Sequence, residues 1–222
     1  MNVVVVVKLG GAVAGDSAGA ILALARHHRV CVVHGAGAQI SAEMSRLGLP
    51  VEFVQGRRVT TLAGLEVVRR ALAAVNAEVC AALGELAVPL FGDEIGLRAT
   101  PLPELGLVGE ALPTRPPALA AALAAGKIPV VAPLAVGPLN VNADDAAAAL
   151  AIGLGAERLH FFTDVPGLLL GGAVAGSVRA TEAERLLETG ALTGGIVPKL
   201  RAAIGAARGG VEAEIGRTVV LA

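Results

Sequence analysis

Lysine is scarce in this chain. Of 18 basic residues only Lys8, Lys127 and Lys199 are lysines, so a compact point charge stands where the sequence elsewhere writes the planar fork of arginine. Two of the three fall in glycine-rich segments. Val7-Lys8-Leu9-Gly10-Gly11-Ala12 closes an apolar run; successive glycines there turn the backbone tightly and bring bare N–H groups against an anion. A solvated lysine after a plain strand-to-helix turn is the other reading of that segment. Thr193-Gly194-Gly195-Ile196-Val197-Pro198-Lys199 is a glycine turn leading into a helix whose first turn carries the lysine. Cations and exposed N–H groups at two such places suit chemistry in which negative charges must be brought together.

Other segments add polar groups at similar junctions. Val32-Val33-His34-Gly35-Ala36-Gly37 opens like a dinucleotide fingerprint, but Ile40 stands where the third glycine belongs. An anion at a helix N-terminus remains reasonable there, and His34 reads as structural or solvent-facing. Gly56-Arg57-Arg58-Val59-Thr60-Thr61 offers either a bidentate clamp for a carboxylate or a solvated charge pair. Two of the four asparagines lie in Asn140-Val141-Asn142-Ala143-Asp144-Asp145. Asn142 or Asp144 could cap the following helix, but capping does not account for four such groups in six residues. A strand-end Asp164 precedes a Pro166-Gly167 turn.

These segments need a scaffold, and the apolar pattern supplies one. Buried strands are expected at 3–8, 30–34, 86–91, 128–133, 158–163 and 216–221, because their hydrophobicity is unbroken. Helices fit at 17–27, 38–48, 62–84, 116–125, 144–154, 180–189 and 197–208, and 95–112 reads as a hairpin flap. Alternation of this kind predicts an α/β domain around a mostly parallel sheet, one unit with two lobes of a continuous sheet. The apolar stretch 128–143 is too short to span a membrane and no signal peptide is evident, so a cytoplasmic protein is expected. The net charge of −1 says nothing about partners, but the lack of a basic stripe and four Phe with no Trp or Tyr argue against nucleic acid. Cys31 and Cys80 read as buried free thiols. There is no P-loop pattern and no metal-ligand spacing.

Taken in order, VKLGG, VHGxG, GxRVT, NVNAD, TDVPGL and GGxxPK resemble the amino-acid kinase family, and within it the N-acetylglutamate kinases. The resemblance spans nearly the whole chain. It implies a three-layer αβα sandwich with an open, mostly parallel central sheet, like carbamate kinase. It places acyl substrate in a lobe of about residues 1–135 and nucleotide in a lobe of about 136–222. The implied reaction is ATP-dependent phosphorylation of the side-chain carboxylate of N-acetyl-L-glutamate, in arginine biosynthesis. N-acetylaminoadipate phosphorylation in lysine biosynthesis, or a catalytically inactive amino-acid-binding subunit, are the alternatives.

By the same resemblance Lys8 and Lys199 stabilise the transferring phosphoryl group, and Asp144 orients both. Gly35, Ala36, Arg58 and Asn140 bind substrate, Arg58 through the α-carboxylate and Asn140 through the amide. Gly10, Gly11, Gly35 and Gly37 donate N–H groups to phosphates and to the attacked carboxylate, Gly10 and Gly11 as part of the ATP site. Thr163, Asp164, Val165, Pro166, Gly167, Leu168 and Leu169, with Ala191, Leu192 and Thr193, line the ATP site. Mg2+ is expected on the ATP phosphates, without a dedicated protein ligand. Ala36 replaces a usual glycine, which would strain the turn if its φ were positive. The stretch from Val211 to Ala222 reads as a compressed final hairpin and strand. Because the sequence starts at strand one, the resemblance implies a homodimer that arginine does not inhibit.

Overall fold

A computed structural model of the chain describes residues 3–10, 17–190 and 192–222; Gly11, Ala12 and Ala191 lie outside them. The chain runs β1 (Val4–Leu9), α1 (Ala18–Ala25), β2 (Arg29–His34), α2 (Gly37–Arg46), β3 (Phe53–Val54), β4 (Arg57–Arg58), α3 (Leu62–Leu83) and β5 (Ala87–Phe91). It continues through α4 (Gly92–Ile95), β6 (Ala99–Pro101), β7 (Val108–Ala111), α5 (Pro117–Ala124), β8 (Ile128–Ala132), β9 (Leu134–Ala135) and β10 (Leu139–Val141). The last part holds α6 (Ala143–Leu154), β11 (Arg158–Phe162), β12 (Leu169–Leu170), β13 (Ala173–Val174), β14 (Ser177–Arg179), α7 (Ala180–Glu188), α8 (Ile196–Arg208), β15 (Glu212–Ile215) and β16 (Thr218–Leu221).

Eight strands form the main sheet in the order β14-β16-β15-β11-β1-β2-β8-β5, parallel throughout except for the β15–β16 hairpin. Along β1, Val5, Val7 and Leu9 join a core with Ile21 of α1, Ile40 and Met44 of α2 and the inner face of α3. Val4 and Val6 join the opposite core, with α5, α6 and α8. Burial on both faces is why the strands read as continuous apolar runs rather than alternating ones. The α/β sandwich with a mostly parallel sheet is the expected fold class.

All seven expected helices are present, with ends shifted by a residue or two. The expected strand at 216–221 is β16, which starts at Thr218 because Gly216 takes φ +56° and turns the chain from β15, forming the expected final hairpin. A second sheet has the order β6-β7-β10-β9, and its strands β9 and β10 had no sequence signal. The 95–112 segment does form a hairpin, β6 with β7. It is no free flap, since β7 pairs in parallel with β10. Gly106 (φ +82°) lies so close to Thr60 that an added Cβ would stand 2.4 Å from its carbonyl oxygen.

Candidate active site

The glycine-rich segments converge at the carboxyl ends of the parallel strands, where open α/β sheets bind ligands. A cavity of about 300 Å³ there is bordered by Lys8, Gly10, Gly35, Ala36, Gly37, Arg58, Asn140, Asp144 and Lys199. Lys8 leaves β1 on the α6 side and its Nζ meets Asp144 Oδ1 at 2.8 Å, with both side chains buried. Lys199 Nζ, from the first turn of α8, is 3.9 Å from Asp144 Oδ2 and 3.4 Å from the Gly195 carbonyl. One carboxylate therefore sits between two ammonium groups. Burial pulls the Lys199 pKa below the ordinary lysine value, and the Lys8 charge adds to this; Asp144 and Asp164 oppose it. The third lysine, Lys127, donates to the Glu85 carbonyl and stands apart from the site.

Neither Gly35 nor Gly37 has a positive φ, and a Cβ at either would meet no protein atom closer than ordinary contact. Crowding by the protein itself does not explain these glycines, and both border the cavity. Ala36 has φ −142°, a tolerated conformation, as expected. His34 is fully buried, its Nε2 is 3.0 Å from Asn76 Nδ2, and burial pushes its pKa down to about 4. It is a neutral core imidazole held by α3, with no ionisable role at neutral pH.

Arg58 is buried, stacked 4.5 Å above the Phe53 ring, and donates from Nη2 to Ser41 Oγ and the Gly37 carbonyl. Among the described residues no carboxylate pairs with it, so a positive charge is fixed at the cavity wall without an anion. Ser41, which holds it, carried no sequence signal of its own. Arg57 points elsewhere and bridges Glu110 and Asp145 at 2.8 and 2.9 Å. The two arginines thus do not form a joint clamp.

The crowded asparagines and aspartates resolve into four separate jobs. Asn142 caps α6, accepting from the N–H groups of Asp144 and Asp145, and its Nδ2 reaches the Gly56 carbonyl of the β3–β4 turn. Asp144 holds the lysines and Asp145 holds Arg57. Asn140 donates to Thr60 Oγ1 at 3.0 Å from the cavity wall.

A second cavity, of about 580 Å³ and mainly apolar, is walled by Thr163 through Leu169 on one side and by Leu192, Thr193, Gly195 and Ile196 on the other. Every expected nucleotide residue from these two stretches that is described borders it. Lys199 lines both cavities and marks where they meet. Thr218 of β16 was not anticipated: its buried hydroxyl accepts from Leu168 N–H at 2.8 Å and donates to the Ala175 carbonyl at 2.7 Å. Gly167 (φ +142°) leaves the room for it, since a Cβ would meet that hydroxyl at 2.6 Å. Arg217 N–H also donates to the Pro166 carbonyl at 2.9 Å, so the final hairpin ties the loop down. Among the described residues no group of three His, Cys, Asp or Glu could hold a metal ion. At the junction stand the Lys8 and Lys199 ammonium groups, with the Asp144 carboxylate between them taken up by both.

Comparison with known proteins agrees with this architecture. Residues 3–217 match the amino acid kinase family. An acetylglutamate kinase of Rubrobacter xylanophilus is 45% identical, over 95% of this chain and 87% of that one. Another, from Geobacillus kaustophilus, is 40% identical over 93% and 86%. The crystal structure of smu.665 from Streptococcus mutans superimposes with a TM-score of 0.89, at 27% identity and 98% coverage of both chains. Carbamate kinase from Giardia lamblia shares the fold, with a TM-score of 0.74 at 14% identity over 99% and 98% of the chains. The chain belongs to the amino acid kinase family.

Proposed function

We propose that this chain transfers the γ-phosphoryl group of ATP to the side-chain carboxylate of N-acetyl-L-glutamate, the reaction named by its relatives at 45% and 40% identity. The observation that carries this reading is Asp144 holding Lys8 and Lys199 where two cavities meet. A carboxylate oxygen attacks the γ-phosphorus, the bond from that phosphorus to the bridging oxygen breaks, and ADP leaves with the electron pair. An ionised carboxylate needs no general base, so the obstacle is charge repulsion, met by positioning and neutralisation. Lys8 and Lys199 supply positive charge, and the Gly37 N–H at the start of α2 supplies a dipole, whereas the expected Gly10 and Gly35 N–H donors are instead given to the Phe162 and Leu9 carbonyls at 3.4 and 3.1 Å. Arg58, which no carboxylate among the described residues pairs with, receives the α-carboxylate, and Asn140 the amide. Mg2+ arriving with ATP would supply further neutralisation of the phosphate charge.

In this reading the smaller cavity takes the acylated amino acid and the larger takes the nucleotide. The lobes then divide near residue 135, with Asn140 and Asp144 reaching from the second into the first. The free thiols Cys31 and Cys80 suit a reducing cytoplasm. Among the described residues no helix is long and apolar enough to cross a membrane. Exposed Leu47, Val51, Phe53, Val54 and Leu62 support a homodimer burying part of that segment.

The test is hydroxylamine trapping of the acyl phosphate with ATP and Mg2+, comparing N-acetylglutamate, N-acetylaminoadipate and free glutamate. Hydroxamate chiefly from N-acetylglutamate, lost in Lys8→Ala and Lys199→Ala, supports the proposal. A preference for the longer acid reassigns the substrate, and ATP binding without turnover of any acceptor overturns the proposal.

A further inference from the structure

Thr60 lies between two of the residues assigned to substrate, yet no part of its side chain is exposed. Its Oγ1 is 2.8 Å from the Arg58 carbonyl oxygen and 3.0 Å from Asn140 Nδ2. A hydroxyl carries one proton, and a carbonyl oxygen can only accept. The Thr60 proton therefore points to Arg58, which leaves only lone pairs facing Asn140. The carboxamide must answer with its NH2 end, because the reverse orientation would set Oδ1 against an oxygen with no proton to give. Among the described residues nothing else bonds to Asn140 Oδ1, and Asn140 borders the smaller cavity.

Both partners are also held at the backbone by one loop. Thr60 N–H donates to the Leu105 carbonyl at 2.9 Å, and Leu107 N–H donates to the Thr60 carbonyl at 2.8 Å. Asn140 N–H donates to the Leu107 carbonyl at 2.9 Å. Neither end of the side-chain hydrogen bond can drift without breaking this ladder.

We infer that Thr60 is a positioning residue that fixes the Asn140 carboxamide with its oxygen free for the guest, so that the cavity selects a substrate with an N–H donor beside the anchored carboxylate. A secondary amide has that donor; the corresponding ester has only oxygen there. The inference rests on the reading that this cavity takes the acylated amino acid.

The experiment measures ADP release by the wild type, Thr60→Val, Thr60→Ala and Thr60→Ser, with N-acetylglutamate and with its ester analogue 2-acetoxyglutarate. Setting an unpaired acceptor against the ester oxygen costs enough to give a wild-type preference for the amide of about 5- to 150-fold in kcat/KM. Thr60→Val frees the carboxamide to turn, so that preference falls to within about threefold through KM, while kcat stays nearly constant. Thr60→Ala gives the same collapse without valine's branched shape, and Thr60→Ser restores the wild-type ratio. A merely structural role would lower turnover of both compounds and leave their ratio unchanged. An unchanged ratio in Thr60→Val and Thr60→Ala, with the wild type active on the amide, overturns the inference alone. Wild-type turnover of neither compound overturns the underlying functional reading and the inference with it.

Discussion

Asp144→Asn removes the charge between the two lysines while keeping the side chain's size. Asn142 still caps α6, so the helix start does not depend on the lost carboxylate. At an effective dielectric of about 20, Coulomb's law gives gross attractions of about 6 kcal/mol for the 2.8 Å pair and about 4 kcal/mol for the 3.9 Å pair. After desolvation, breaking a buried pair costs about 3–5 kcal/mol. The two ammonium groups are then left to repel each other.

The pH dependence of that variant carries a sign. Burial already holds the Lys199 pKa below the ordinary 10.5, and Asp144 is the larger of the two influences that oppose it. Its loss lowers that pKa further. Transfer needs the ammonium form, so activity falls as pH rises through the folded-state value, and the alkaline limb moves to lower pH in Asp144→Asn. Stability runs the other way. A depressed folded-state pKa makes the protonated lysine a burden on folding, which is relieved as pH climbs from that value towards 10.5. Steady-state ADP release from neutral to alkaline pH should show kcat reduced by about 10²–10³ and a displaced limb. A kcat within tenfold of wild type, on an unmoved limb, would refute the idea that Asp144 organises the lysines.

Gly106→Ala forces an alanine into φ +82° against the Thr60 carbonyl; a cost of about 2 kcal/mol should lower Tm by roughly 4–8 °C. Its KM for N-acetylglutamate should rise while that for ATP holds, and calorimetry with steady-state kinetics checks both. Thr218→Val leaves the Leu168 N–H without its buried acceptor, costing about 1–3 kcal/mol; the expected result is a raised KM for ATP with the acyl-substrate KM unchanged. Burial pushes the Cys31 thiol up to about 12 and also raises Cys80, so a thiol reagent at mildly alkaline pH should react slowly with native protein and rapidly with two groups after denaturation.

Much of this was legible because the large elements declare themselves locally. An apolar run buried on both faces, such as β1, or an alanine-rich stretch such as α6, needs no distant partner to be recognised. The small sheet was hidden because β9 and β10 are two and three residues long, too short for any period, and β10 pairs with β7 far along the chain. The reactive residues were visible as lysines and polar groups improbable in their surroundings. Their supports were not: Thr60 and Asn140 are 80 residues apart, and nothing near either position says that a hydroxyl and a carboxamide will meet. Thr218 likewise gains its meaning only from a loop that the fold brings to it. Arg57 shows the converse, a residue marked by its neighbour that the fold turns towards Glu110 and Asp145.

The strand order also sets a sequence of events in time. β1 is central, flanked by β2 on one side and by β11 on the other. Pairing among β1, β2, β5 and β8 draws only on the first part of the chain and can bury one core with α1, α2 and α3. Lys8 meets its carboxylate only after α6 docks across the sheet, and Lys199 arrives later still with α8. Non-local closures of this kind are slow. During refolding, secondary structure should therefore return before catalysis does, and the interval between them would be a chain with most of its sheet formed and its lysines still apart.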